Sequence, residues 1–178
     1  RPVEIPEARY NETSVPMIVS PGPQGGHNWH PMSFSHRTNL VYMPATEQFM
    51  GYVAEEDYVT SARGWNTGTD FAAGGALVAA AGDNAPKRSA YLLAWDPVAQ
   101  REVWRVPKIV TTDAAGVLST AGGLVFQGNA SGEFSAYKDD TGELLWTAPT
   151  QAMTVAAPMT YMLDGEQLDA IVTKHLPI

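Results

Sequence analysis

A repeat of 42 residues constrains the fold of this chain more than any other feature of its sequence. Three separate segments agree on this period, and a fourth fits three periods to within one residue. An internal period of about 40 to 50 residues indicates an architecture in which similar units stack on one another. The matching positions are Ala94 with Ala136, Trp104 with Trp146, Leu40–Tyr42 with Leu124–Phe126, and Pro31–Phe34 with Pro158–Tyr161.

The stretch from Leu124 to Trp146 shows what one repeat unit contains. Glu133–Tyr137 alternates polar and apolar residues, which is typical of a strand with one buried face. Turns rich in Asn, Asp and Gly separate it from an apolar run on either side. With Val117–Ala121 as a further strand, the unit is a predicted four-stranded antiparallel meander. Four strands per unit at this period predict an all-β fold, a β-propeller, in which each sheet is one blade.

The remainder of the chain carries the same strand-and-turn pattern, with one interruption. Met32–Pro44 and Tyr91–Trp104 are each predicted to form a hairpin. Residues 47–89 are low in strand signal, and we expect them to be a long inserted loop region between two strands of one blade. Loops of this length are usually functional or partly disordered. Residues 1–178 are therefore expected to form a single partial propeller domain.

Charge and composition exclude several kinds of partner and site. The chain has 11 Lys and Arg against 19 Asp and Glu, a net charge of −8, so neither nucleic acid nor an anionic membrane surface is an expected partner. No cysteine is present, which excludes disulfides and a Cys-x-x-Cys-His haem attachment in this chain. No apolar run approaches the roughly 18 residues of a membrane span. Because the chain begins at Arg1, we expect it to be a piece of a longer polypeptide.

The repeated tryptophans have a structural interpretation. A large flat ring at the end of the outer strand of a blade can insert between that blade and the next, where it buries on the order of 200 Å² and donates a hydrogen bond through its indole N–H. We therefore expect Trp104 and Trp146 to pack between sheets and not to take part in chemistry.

Gly26–Pro31 is a dense cluster of polar and aromatic residues. A metal site at His27 and His30 would need a third ligand, and the next histidine, His36, falls in a predicted turn. We therefore predict no metal site, and interpret the two histidines as a hydrogen-bonded scaffold around Asn28. Three other acidic features are expected to be solvated: Asp70, Asp83 and the run Glu55–Asp57, which lacks the ligand pattern of a calcium loop.

The segment Ala136-x-Lys138-x-x-Thr141-Gly142-x-x-x-Trp146 resembles the tryptophan-docking motif of the quinoprotein dehydrogenases, whose cofactor is pyrroloquinoline quinone. The resemblance is to the C-terminal part of the quinoprotein alcohol dehydrogenases, especially the haem-bearing branch, and implies roughly the last three blades of an eight-bladed propeller. The wider match comprises Gly26–Phe34, Leu93–Pro97, Leu118–Gly128 and Ala157–Tyr161.

The resemblance also implies an activity. The family oxidises alcohols to aldehydes by hydride transfer to pyrroloquinoline quinone with the help of calcium. Of its cofactor-binding residues, one maps onto this chain, as Asn28. The catalytic base and the calcium ligands are expected outside the chain, so no catalytic or metal-binding residue is assigned and the chain alone is expected to be inactive. An electron acceptor such as a cytochrome or ubiquinone, a haem c group in the longer parent and a periplasmic location are further expectations.

One difference from the family and one alternative function accompany this interpretation. Where the family usually has an Asn or Trp with Gly-Gly before the strand at Val117, this chain has Asp113–Gly116. The alternative is a non-enzymatic propeller that serves as a protein-binding scaffold in the bacterial envelope. Such a scaffold needs neither the His27–Asn28 segment nor a long Gly-rich insertion.

Overall fold

Antiparallel β-strands are the main secondary structure of the computed structural model, which describes residues 15–108 and 115–174 together with Val3, Ile5 and Pro6. The one α-helix of these residues is α1 (Phe71–Ala81), followed by a 3₁₀ turn at Gly82–Asn84. The strands are β1 (Met17–Val19), β2 (Ser33–Ser35), β3 (Leu40–Glu47), β4 (Met50–Tyr52), β5 (Ser89–Asp96), β6 (Arg101–Lys108), β7 (Val117–Ser119), β8 (Leu124–Gly128), β9 (Glu133–Lys138), β10 (Leu144–Pro149), β11 (Met153–Thr154), β12 (Met159–Leu163), β13 (Glu166–Ala170) and β14 (Thr173–Lys174).

Two four-stranded sheets carry the sequence repeat. The first sheet has the strand order β2-β3-β5-β6, and the second sheet has the order β7-β8-β9-β10. The predicted antiparallel meander of the second sheet is confirmed strand by strand. In the first sheet Ala94 pairs with Trp104, and in the second Ala136 pairs with Trp146, each beside a shift in register. The 42-residue offset therefore relates equivalent positions of the two sheets.

The expected single domain over residues 1–178 resolves into two compact units. One unit is Arg1–Gly25 with Glu47–Arg88, and the other is Gly26–Thr46 with Ser89–Ile178, which contains both four-stranded sheets. The division arises because residues 47–88 have packing partners of their own. In that stretch β4 pairs with β1 in antiparallel register.

Residues 47–89 also differ from the long loop expected, because they contain the helix α1. Asp70 caps this helix by accepting a hydrogen bond from the backbone N–H of Ala73 at 2.9 Å, and Ala and Leu are strong helix formers. Gly74, which disfavours a helix by propensity, lies where the helix meets β4. A Cβ atom on Gly74 or on Gly51 would collide with the backbone of the other residue.

The larger unit has an apolar core on each face of the second sheet. Along β8, Val125 contributes to one core and Phe126 to the other, as the alternation of a strand requires. Full burial of a side chain such as Leu92 or Val125 contributes about 1.5–3 kcal/mol. The core shared by the two sheets contains Leu40, Tyr42, Leu92, Ala94, Trp104, Val117, Val125 and Tyr137.

Asp139 joins the two sheets through both its backbone and its side chain. Its carbonyl oxygen accepts the indole N–H of Trp104 at 3.0 Å and the hydroxyl of Tyr42 at 2.9 Å. Its fully buried carboxylate pairs with Arg37, whose Nε lies 2.9 Å from Oδ2. This ion pair raises the pKa of Arg37, chiefly through the side-chain hydrogen bond. We call these four residues the Asp139 clasp.

Trp146 behaves differently from its equivalent, Trp104. Trp104 is 8% exposed, whereas Trp146 is 51% exposed and contacts Phe134 of its own sheet edge-on at 6.2 Å. In the described part of the chain no hydrogen bond of the Trp146 indole is seen. The expectation that Trp146 packs between sheets is therefore not met by these residues, because β10 is exposed from Leu144 to Thr147.

The turn at Gly142 tests the contact with Trp104. Gly142 has φ +72°, and a Cβ atom there would lie 2.7 Å from Cε3 of Trp104. Gly165 has φ +86° but nothing within 4 Å of such an atom. We expect Gly165→Ala to cost about 1–2 kcal/mol of unfolding free energy from backbone strain alone, and Gly142→Ala to cost about 1–3 kcal/mol more from overpacking. Urea denaturation measures both, and equal losses would contradict the account.

The buried phenol of Tyr42 gives the fold an alkaline limit. Burial raises the pKa of Tyr42 above its usual value of 10.0. The unfolded chain then loses this proton first, so the native state binds more protons and stability falls as the pH rises beyond about 10. We expect Tyr42→Phe to cost about 1 kcal/mol at neutral pH and to make the decline above about pH 10 shallower. Tyr161→Phe, at an exposed tyrosine, is the control and should keep the original pH dependence.

Candidate functional site

The segment Gly26–Pro31, just before β2, is held by the end of β3. The backbone N–H of Thr46 donates to the carbonyl of Gly26 at 2.8 Å. His27 Nδ1 lies 2.7 Å from the carbonyl oxygen of Pro44, and since a carbonyl only accepts, Nδ1 carries the proton. His27 therefore anchors the backbone next to Asn28, in agreement with its interpretation as scaffold.

His30 and Trp29 form a stacked pair on the other side of Asn28. The two rings lie 4.2 Å apart at an interplanar angle of 27°. His30 is buried, whereas Trp29 is 64% exposed, so one ring of the pair is shielded from solvent and the other meets it. His27 and His30 are 6.5 Å apart, centroid to centroid. Among the described residues no three His, Asp or Glu side chains come together as a metal site would need.

Pro31 fixes the segment to the second sheet. Its carbonyl oxygen accepts the backbone N–H of Val117 at 3.0 Å. Gly116 lies so close that a Cβ atom there would be 2.9 Å from Cδ of Pro31 and 2.7 Å from Cβ of Ala157. Glycine at this position therefore lets the start of β7 approach Pro31.

Asn28 itself is exposed at the centre of this anchored segment. Its amide donates and accepts without adding charge, and the exposed ring of Trp29 is its neighbour in the chain. A neutral donor beside a flat apolar surface is compatible with a planar, anionic quinone. The residues present therefore fit one wall of a quinone site, although the assignment of Asn28 to the cofactor stays a prediction.

Gln127 is a buried polar residue of this region that the sequence interpretation missed. It is 3% exposed at the end of β8, and its Nε2 donates to the carbonyl oxygen of Ala115 at 3.1 Å. The signal in the sequence was a polar residue two positions after Val125, and therefore on the same face of the strand. Asp113 and Ala114, the cofactor-side difference noted in the sequence, lie outside the described residues.

The acidic candidates lie in the smaller of the two units. Asp70 is the N-terminal cap of α1. Asp83 and the run Glu55–Asp57 are exposed, as expected. His36 contacts Phe34 edge-on at 5.0 Å and lies at the other end of β2 from Asn28.

Comparison with known proteins gives a consistent family. Residues 95–168 match the family model described as "PQQ: Glucose/ethanol/alcohol dehydrogenase, beta-propeller domain". The chain is 46% identical to quinohemoprotein alcohol dehydrogenase ADH IIB of Pseudomonas putida over 173 residues, 97% of this chain and 24% of the relative. It is 37% identical to 1-butanol dehydrogenase (cytochrome c) of Thauera butanivorans, over 96% of this chain and 24% of that protein.

The fold is similar to that of a solved member of the same group. The crystal structure of quinohemoprotein alcohol dehydrogenase from Comamonas testosteroni matches with a TM-score of 0.80 and 40% sequence identity, over 97% of this chain and 26% of that one. The chain thus spans about a quarter of the length of the relatives that it matches. None of its described helices is long and apolar enough to cross a bilayer. Over almost its whole length, this chain is a homologue of the pyrroloquinoline-quinone-dependent quinohaemoprotein alcohol dehydrogenases.

Proposed function

We propose that this chain forms part of a quinone-dependent dehydrogenase that oxidises alcohols to aldehydes. The observation that carries the proposal is the anchored segment Gly26–Pro31, which presents Asn28 and the ring of Trp29 to solvent within a chain homologous to enzymes of this class. The relatives named above are all dehydrogenases, which favours the enzyme over the envelope scaffold.

The cofactor and the residues of this chain have different roles in the proposed reaction. When bound, pyrroloquinoline quinone supplies the hydride acceptor, and a calcium ion polarises its accepting carbonyl. Asn28 would hold the cofactor by donating its amide N–H to a quinone or carboxylate oxygen, and the exposed ring of Trp29 would offer it a flat apolar surface. The catalytic base, the calcium ligands and a haem c group belong to the rest of the whole protein.

We further propose that the two sheets are neighbouring blades joined by a tryptophan-docking motif, within roughly the last three blades of an eight-bladed propeller. The burial of Trp104 and its hydrogen bond to Asp139 support this assignment for one pair of sheets. Gly142, in the equivalent of the motif's Thr-Gly step, faces the ring of Trp104.

The electron acceptor and the location are part of the same proposal. A relative named 1-butanol dehydrogenase (cytochrome c) supports a cytochrome as the acceptor for electrons taken from the alcohol, and ubiquinone is the second candidate. A periplasmic location accords with such an acceptor.

Asn28→Asp in the whole protein tests the cofactor contact. The substitution keeps the size of the side chain, removes an N–H donor and places a negative charge against an anionic quinone. Because a hydrogen bond to a charged group contributes about 1.5–3 kcal/mol, we expect pyrroloquinoline quinone to bind at least about tenfold more weakly. Asn39→Asp is the matched control, at the turn on the other end of β2. Binding by Asn28→Asp within about twofold of the wild type would exclude the contact.

The isolated chain gives a complementary prediction. With pyrroloquinoline quinone, calcium and an artificial electron acceptor added, the 178-residue chain should not oxidise alcohols, because no catalytic base or calcium ligand is assigned to it. The whole protein under the same conditions should be active. Alcohol oxidation by the chain alone, measured as reduction of the acceptor dye, would overturn this division.

A further inference from the structure

Gln127 occupies a position where an apolar side chain would be expected. It shares a face of β8 with Val125, which is fully buried in the core between the two sheets, and it pairs with Val117 of the same core. Burial of an amide in such a place costs free energy unless its donors and acceptors are satisfied. A methionine or leucine would fill the same space without that cost, so packing alone does not explain an amide.

The nitrogen of the Gln127 amide has a hydrogen-bond partner. Nε2 donates to the carbonyl oxygen of Ala115 at 3.1 Å, and since a carbonyl can only accept, this contact fixes the orientation of the amide. Oε1 is buried and accepts no hydrogen bond from the residues that the structure describes. The amide is thus retained although only one side of it is satisfied within this part of the chain.

The hydrogen bond from Gln127 to Ala115 is connected to the candidate cofactor segment through the neighbouring residues of the chain. Ala115 is 1% exposed and lies two residues before Val117, whose N–H donates to the carbonyl of Pro31 at 3.0 Å. Between them, Gly116 is in close contact with Pro31. Pro31 ends the segment that presents Asn28, so a displacement of Ala115 moves the support on which that segment rests.

We propose that Gln127 is a positioning residue, which fixes Ala115 and through it the Pro31 end of the segment that carries Asn28. This inference rests on the proposed function, since it assigns to Gln127 the alignment of the amide that contacts pyrroloquinoline quinone. Gln127 does not touch the cofactor itself.

Gln127→Met in the holoenzyme separates positioning from stability. Methionine has a similar volume, and replacing a half-satisfied amide by an apolar group should leave the urea midpoint close to that of the wild type. The dissociation constant of pyrroloquinoline quinone should rise about tenfold, equivalent to about 1.4 kcal/mol. Hydrogen exchange at the Val117 amide should become faster without cofactor as well, because the carbonyl of Pro31 is held less firmly.

Val125→Ala is the matched control, on the same strand and the same face. It removes fully buried apolar volume, so it should lower the urea midpoint while the dissociation constant of the cofactor stays within about twofold. If Gln127→Met does not fold, Gln127→Asn takes its place, because it keeps the amide but cannot reach Ala115. Gln127→Asn should likewise raise the dissociation constant of pyrroloquinoline quinone.

The outcomes distinguish this inference from the proposed function. A wild-type whole protein that binds no pyrroloquinoline quinone would contradict both. A wild type that binds, with Gln127→Met binding equally tightly and the Val117 amide exchanging at the same rate, would overturn the role of Gln127 alone. Weaker binding by Gln127→Met that merely parallels a loss of stability of the size seen in Val125→Ala would also overturn it.

Discussion

The hydrogen bonds and the ion pair of Asp139 fix the position of one four-stranded sheet against the other. Trp104 and Tyr42 of the first sheet both donate to its carbonyl oxygen, and Arg37 neutralises its buried carboxylate. A buried carboxylate is costly unless it is paired and hydrogen-bonded. The turn that carries Asp139 therefore fits the first sheet only where all three donors reach it, and this requirement selects one relative placement of the sheets.

The short strand β2 connects this clasp to the candidate cofactor segment. Arg37 follows β2 by two residues, and Asn28 precedes it by five. At one end the Asp139 clasp fixes the chain, and at the other the contact between Pro31 and Val117 does. Exposed Asn28 is thus carried by a segment that β3 of the first sheet holds at Gly26 and the second sheet holds at Pro31. This keeps a binding group in place before the ligand arrives and so lowers the entropic cost of binding.

The repeating strands were predictable from the sequence, whereas the helix α1, the exposure of Trp146 and the role of Gln127 were not. The 42-residue offset and the polar–apolar alternation located the four strands of the second sheet, because turn residues and burial are encoded locally. The helix α1 was missed because Gly74 lowers helix propensity. The glycine at position 74 is explained only by the close packing of its backbone against that of Gly51. Trp104 and Trp146 are equivalent in sequence yet differ in burial, since burial depends on what lies against each sheet. Gln127 was missed because its partner, Ala115, is a backbone carbonyl that no sequence pattern marks.

The most direct test is an experimental structure of the whole protein with pyrroloquinoline quinone and calcium bound. The quantity to measure is the distance from the side-chain nitrogen of Asn28 to the nearest oxygen of the quinone. We expect a hydrogen bond of about 2.7–3.2 Å, with Trp29 beside the quinone plane. A distance beyond about 3.5 Å with no bridging water would contradict it.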